Sequence, residues 1–280
     1  MIKRQSNLVS IDWLNQNIVH PDIVILDATM KKQPNGKSIP EPLNKISSAK
    51  PFNFDTEICD KTTELPHMLC SADEFQLAAR NLGINNQSII IIYDAMGIFS
   101  APRAWWMFKV MGHKNVFVLN GGLPKWVEAN YPIDTDYSQI NTNGNFFAKF
   151  NSAQVFSGQQ VLDNLSNNKL LILDARSYSR FNSQEPEPRQ ELKKGHIPNS
   201  TCLPFSELLI NGCFRNKEDL SEIFKKVISP DAKQLIFSCG SGVTACILAL
   251  AAEECGIKKG IVYDGSWSEW GANDRFPIEI

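Results

Sequence analysis

The sequence has no apolar run long enough to cross a bilayer. Its longest, residues 88–93 and 245–252, fall well short of the roughly 20 residues that a spanning helix needs. It has no large excess of either charge: 28 Lys and Arg stand against 30 Asp and Glu, a formal charge of −2. With no basic stripe, a broad nucleic-acid surface is disfavoured. It also lacks any Cys-x-x-Cys pair and any Cys/His spacing of a structural zinc site, and its seven cysteines are an odd number, which fits free thiols better than a disulfide framework. The basic N-terminal residues are not followed by an apolar segment or a small-residue cleavage site, so a cytoplasmic address is the expectation. What is present is an ordinary globular composition, 43% hydrophobic and 21% charged, over 280 residues, enough for two domains.

The chain repeats itself. Ile23-Val24-Ile25-Leu26-Asp27-Ala28 resembles Leu170-Leu171-Ile172-Leu173-Asp174-Ala175, and the run at 89–94 matches that at 234–238. At a shift of 144 residues Gly112 falls on Gly256, Asn120 on Asp264, Gly121 on Gly265 and Trp126 on Trp270. Short apolar runs bounded by polar residues read as strands buried on both faces, and helical patterns lie between them, so each half is expected to be an α/β domain with a mostly parallel sheet flanked by helices. Ser71-Ala72-Asp73-Glu74 offers an N-cap and a capping-box acid. The stretch rich in Asn, Thr, Gly and Ser after residue 134 reads as a linker, giving domains at 1–135 and 151–280 joined by 136–150.

The chemistry is expected at Cys239-Gly240-Ser241-Gly242-Val243-Thr244, between the strand pattern at 234–238 and the helical pattern at 245–254. Ligand sites of open α/β sheets form at such strand ends. Two glycines allow successive amides to curl into a nest, and the helix N-terminus adds partial positive charge, both favouring a thiolate. Cys246 and Cys255 lie in or at the end of an apolar helical pattern and read as core thiols. A cysteine phosphatase would carry an arginine six residues after its nucleophile, but position 245 is Ala and residues 239–244 hold no basic side chain, so the clamp for a phosphate dianion is missing. The same lack disfavours thiosulfate as a ligand of this loop.

The sequence resembles the tandem-domain rhodanese family of sulfurtransferases. The resemblance rests on this loop, which is similar to that of the 3-mercaptopyruvate enzymes of the family. It rests also on Leu65-Pro66-His67-Met68-Leu69, on residues 99–106, on Asn120-Gly121-Gly122, Glu187-Pro188-Arg189 and Gly195-His196-Ile197-Pro198, and on residues 263–270. It implies two rhodanese-like domains and Cys239 as the nucleophile that carries a persulfide. It further implies Arg180 and Arg189 on the carboxylate and keto group of 3-mercaptopyruvate, with Gly240, Gly242, Val243 and Thr244 lining the substrate site. Pyruvate would leave, and a small thiol, a thioredoxin-like protein or cyanide would take the sulfur. No metal or organic cofactor is implied, nor any nucleic-acid or membrane partner. Thiosulfate:cyanide transfer and a non-turnover persulfide carrier are the competing readings.

The resemblance also implies a Ser-His-Asp relay. Ser241, two positions after Cys239, supplies the serine. The histidine is expected in a His-Ile-Pro-Gly-Ala segment of the first half, where Asn44-Lys45-Ile46-Ser47 places Lys45 instead, and no Asp stands in residues 31–40. Either the substrate donates its own proton and the relay is dispensable, or Lys45 or His67 substitutes, or another donor is preferred. His196 reads as structural. At the 144-residue shift Ala95 stands opposite Cys239, so the first half is expected to be supportive, and Arg103, Trp105 and Trp106 are expected to pack rather than react.

Overall fold

A computed structural model describes residues 6–31, 37–38, 44–140, 142–257 and 260–280. Its two halves carry the same five-stranded parallel sheet. The first contains β1 (Leu8–Val9), β2 (Ile23–Asp27), β3 (Lys50–Pro51), β4 (Ile89–Tyr93) and β5 (Val116–Leu119), in the order β1-β5-β4-β2-β3. The second contains β6 (Val155–Phe156), β7 (Leu170–Asp174), β8 (Ser200–Cys202), β9 (Gln234–Ser238) and β10 (Gly260–Tyr263), in the equivalent order β6-β10-β9-β7-β8. The apolar runs at the middle of each sheet are β4 and β9, and a parallel strand covered on both faces requires such runs. Tyr93 pairs with Asp27 and Ser238 with Asp174, so β4 and β9 hold the same register in their sheets.

Four helices frame the site: α1 (Ala72–Asn81), α2 (Ala101–Val110), α3 (Lys217–Val227) and α4 (Ala245–Glu254). The capping box of α1 forms, Ser71 Oγ accepting from the Glu74 amide at 3.3 Å while Glu74 Oε2 accepts from the Ser71 amide at 3.0 Å. The helices α2 and α4, each following a central strand, are buried nearly all round and pack on each other, which explains their lack of a polar face. One large apolar cluster therefore runs from Phe52, Phe75 and Phe108 of the first half through Trp105 to Leu248 and Phe237 of the second. Smaller clusters close the outer faces around Trp126 and around Trp267 and Trp270. Residues 142–150 run along the first half, with the Phe146 amide bonded to Ile84 O, the Lys149 amide to Met111 O and the Phe146 ring buried.

The connections cross over. Residues 52–71, between β3 and α1, lie over the ends of β9 and β10: Asp55 and His67 share a cleft with Cys239, directly after β9, and the Leu69 amide donates to Asp264 Oδ2, directly after β10, at 2.8 Å. Residues 203–216, between β8 and α3, lie over the ends of β4 and β5: a Cβ on Gly97, in the loop after β4, would stand 2.5 Å from Gly212 O, and the Phe214 amide donates to Asn120 Oδ1, directly after β5, at 2.9 Å. Each half thus covers the strand-to-helix loop of the other.

Strand register corrects the constant-shift comparison of the halves. Between Tyr93 and Ala101 the loop spans residues 94–100, whereas between Ser238 and Ala245 it spans 239–244, one residue fewer. The residue directly after β9 is Cys239 and the residue directly after β4 is Asp94, so Asp94, not Ala95, stands opposite the cysteine. The hydrogen bonds agree: the Leu123 amide donates to Asp94 O at 3.0 Å, as the Trp267 amide does to Cys239 O at 3.0 Å.

Candidate active site

The end of β9 places Cys239 in a cleft of about 490 Å³ between the halves. The second half contributes Arg180, Pro188, Arg189, Cys239, Gly240, Ser241, Val243 and Thr244 to its walls. From the first half come Met30, Lys31, Asp55, Thr56, Pro66, His67 and Phe99. Of the expected nucleophile, relay serine and substrate-site residues, Cys239, Ser241, Arg180, Arg189, Gly240, Val243 and Thr244 line this cleft and Gly242 does not. Gly242 faces the protein: its φ is +74°, and a Cβ there would lie 2.5 Å from Asp264 O, which only glycine avoids.

Cys239 is itself 2% exposed. Its amide donates to Ser266 Oγ at 3.1 Å and its carbonyl accepts from the Trp267 amide. Among the described residues the amides of 240–244 have no oxygen acceptor within the protein, and Thr244 at the start of α4 makes no side-chain cap. A set of free amides at the N-terminus of a buried helix is a place for an anion. Burial pushes the thiols of Cys70 and Cys202 up to about 12 and that of Cys246 still higher, keeping these three protonated. All seven cysteines are unpaired.

The two arginines are not equivalent. Arg180 is tied to Glu187, with Nη2 2.5 Å from Oε2, and Glu187 is shared with the buried Arg176, which also holds Asp174. The guanidinium of Arg180 lies against Gly240, where a Cβ would come within 3.1 Å of Nη2. Arg189 has no carboxylate within ion-pair distance among the described residues. Its one described hydrogen bond runs from Nη1 to Ser268 Oγ at 3.2 Å, and burial holds it below the usual arginine value, with the charge of Arg180 adding to that. The charge of Glu191 offsets this only in part, and a half-buried guanidinium without an ion-pair partner is a receptor for an anion.

His67 sits at φ +62°, with Nδ1 2.7 Å from Asp55 Oδ1. The imidazole of His67 beside it holds the Asp55 carboxyl below its ordinary value against the opposing effect of burial. The carbonyl of His67 accepts from Arg103 Nη2, while Arg103 Nη1 donates to Gly242 O at 3.2 Å and to Asp264 Oδ1 at 2.6 Å. Arg103 is fully buried, with its guanidinium over Trp106, so it packs as expected and also ties the His67 loop to the Cys239 loop.

Of the two alternatives for the relay histidine, Lys45 stands away from the cleft. It lies buried in a short strand, Lys45–Ile46, with its ammonium 5.2 Å from the Tyr137 ring centroid, and it does not line the cleft. The histidine that does is His67, and its acid is Asp55, which lies beyond the stretch 31–40 searched for an aspartate. Residues 32–36 and 39–40 of that stretch lie outside the described residues. His196 is stacked on Phe181 and bonded through Nδ1 to Phe181 O at 2.9 Å, in keeping with a structural role. Sequence reading missed Lys31, Asp55 and Thr56. His67 stood in a matched motif, but nothing local tied it to a loop far along the chain.

Two tandem α/β domains sharing one cleft, with a thiol at the end of the central strand of the second, define the class. A model of the rhodanese-like domain matches residues 10–129 and again 157–273. The chain is 39% identical to the 3-mercaptopyruvate sulfurtransferase of Escherichia coli strain K12 across 97% of both chains. It is 34% identical to the human 3-mercaptopyruvate sulfurtransferase over 94% of this chain and 91% of that one. It is also 37% identical to rat thiosulfate sulfurtransferase over the same shares, and 36% identical to a thiosulfate/3-mercaptopyruvate sulfurtransferase of Arabidopsis thaliana over 97% of this chain and 78% of the relative. The crystal structure of SseA from Escherichia coli, described as a 3-mercaptopyruvate sulfotransferase, superposes with a TM-score of 0.83 at 34% identity, covering 94% of this chain and 99% of that one. The chain belongs to the rhodanese-like family. Among the described residues no helix is long and apolar enough to cross a membrane.

Proposed function

We propose that this protein is a sulfurtransferase that takes sulfur from 3-mercaptopyruvate onto Cys239 and passes it to a thiol, a thioredoxin-like protein or cyanide. The observation that carries the reading is that one cleft holds Cys239, among amides without acceptors among the described residues, and Arg189, which has no ion-pair partner among them. A planar α-keto carboxylate meets a guanidinium through two parallel hydrogen bonds, which a lysine cannot offer. Arg180, held by Glu187 beside Gly240, would take the keto oxygen.

In the first step the Cys239 thiolate attacks the donor sulfur. A sulfur–sulfur bond forms, the carbon–sulfur bond breaks, and its electron pair passes into the enolate of pyruvate. The proton of the donor thiol ends on the methyl carbon, so the step consumes no external acid. His67, oriented by Asp55 and near Ser241 in the same cleft, is the group to move that proton. The persulfide then sits among the loop amides, which stabilise its charge. An acceptor thiolate attacks the outer sulfur, and Cys239 leaves as thiolate.

Thiosulfate transfer has one observation in its favour. The charge that residues 239–244 lack is supplied from elsewhere, by Arg189 and by Lys31 on the first-half wall, so the neutral loop does not by itself exclude a dianion. Comparing kcat/KM for the two donors on one preparation decides between them. Pyruvate released over many cycles with 3-mercaptopyruvate and a thiol is the expected result. A single-equivalent sulfur adduct on Cys239 without turnover would identify a persulfide carrier instead. Cys239→Ser should abolish release, and retained activity would remove the assigned nucleophile.

A further inference from the structure

The segment Tyr263-Asp264-Gly265-Ser266-Trp267-Ser268 does not line the cleft, yet it holds both peptide groups of the nucleophile. The Cys239 amide donates to Ser266 Oγ at 3.1 Å, the Cys239 carbonyl accepts from the Trp267 amide at 3.0 Å, and Gly240 O accepts from the amide and hydroxyl of Ser268 at 2.8 and 2.7 Å. Ser266 is fully buried, and its hydroxyl donates onward to Tyr263 O at 2.8 Å. Its φ is +50°, a left-handed conformation that an L residue other than Gly, Asn or Asp adopts at a cost.

The first half shows what this place in the fold needs for structure alone. Gly122 stands there with φ +51°, one residue before Leu123, whose amide bonds Asp94 O as that of Trp267 bonds Cys239 O. A Cβ on Gly122 would lie 2.5 Å from Asp94 O and 2.6 Å from Gly97 O. In the second half the shorter loop leaves that space to a side chain, and the residue is serine. The same backbone is thus unstrained beside the inert loop and strained beside the nucleophile. Strain that the surroundings over-determine gathers at functional positions.

We propose that Ser266 is a positioning residue for Cys239. Its hydroxyl, bridging Tyr263 O and the Cys239 amide, fixes the peptide plane before the nucleophile and with it the direction of the Cα–Cβ bond that carries Sγ into the cleft. The inference rests on Cys239 as nucleophile and not on the identity of the donor.

Ser266→Gly is the test, because glycine keeps the backbone as Gly122 does and removes only the bridge. Three quantities are read: the rate of iodoacetamide alkylation at Cys239 by peptide mass spectrometry, kcat and KM with 3-mercaptopyruvate, and the thermal midpoint. Relief of strain and loss of two buried hydrogen bonds oppose each other, so the midpoint should move little. Alkylation rate and kcat should fall together by about 10- to 100-fold while KM stays within about twofold. Ser266→Ala loses the same bridge but keeps the strain, so it should match the glycine variant in kcat and fall below it in midpoint. Unchanged alkylation and kcat in either variant, or losses that only track the folded fraction, would overturn the proposal. If alkylation falls while the parent protein does not turn over 3-mercaptopyruvate, the positioning role stands and the donor reading fails.

Discussion

The two strand-to-helix loops begin from the same fold and reach opposite ends. After β4 the carboxylate of Asp94 turns into its own loop and accepts from the amides of Met96 at 2.8 Å and of Phe99, Ser100 and Ala101 at 2.9 Å each. Burial pushes this carboxyl up and the four amides pull it back, and the anion cradle is filled from within. After β9 the equivalent residue is Cys239, whose side chain does not reach back, and the amides of 240–244 keep no protein acceptor among the described residues. The covers differ in the same sense. Residues 203–216 lay Gly212 against Gly97, backbone on backbone, whereas residues 52–71 bring Asp55 and His67 to the nucleophile. The fold itself offers an anion site twice; one aspartate turns the first into structure, and the crossed connection makes the second a site of both halves.

Exchanging the residues breaks this contrast most sharply. Cys239→Asp installs the first-half side chain, and sulfur transfer should fall by more than about 10³-fold while the protein stays folded, measured as pyruvate release beside circular dichroism. Conversely, Asp94→Ala leaves four buried amides without their acceptor and should destabilise the protein by about 3 kcal/mol, read from the urea midpoint. A loss under about 1 kcal/mol would show that the amides find other partners. The arginines sharpen the contrast next. Arg189→Lys keeps the charge and loses the fork, so kcat/KM should fall about 10- to 100-fold, mainly through KM. Arg180→Lys, whose charge Glu187 already compensates, should cost less, about 3- to 10-fold. Equal losses at the two positions would contradict the difference in their partners.

Much of this was legible in the sequence because its causes are local. A strand buried on both faces needs an unbroken apolar run, as in β4 and β9, and a thiol between two glycines at a helix start has little packing use, so Cys239 stood out. The capping box of α1 was legible for the same reason. The rest depends on what lies across the cleft. Asp55 carries no local signal, since its place in the cleft comes from a connection that crosses to the other half, and nothing local to Lys45 shows that its strand lies away from the cleft. The one-residue difference between the loops was hidden because a constant shift aligned α2 with α4 and put Ala95 opposite the cysteine. Only strand pairing, Tyr93 with Asp27 and Ser238 with Asp174, shows the offset.

The smallest effect concerns the pair that only the second site possesses. The close approach of His67 Nδ1 is the largest influence on Asp55 and lowers it, burial raises it, and the charges of His67, Lys31 and Arg189 lower it further. A carboxyl depressed in the folded state contributes stability that is complete above its unfolded value, near 3.8, and is lost as pH falls through the folded value. Asp55→Asn removes that contribution, so the variant should be the less stable at neutral pH, and the gap in urea midpoint should close as the solution is acidified below about pH 4. Because Asp55 orients His67 and does not touch the sulfur, kcat should fall by only about 3- to 10-fold, without a matching change in KM. A gap that instead widens on acidification would mean that the folded protein holds Asp55 protonated, and the first-half wall would then present a donor, not a carboxylate, to His67.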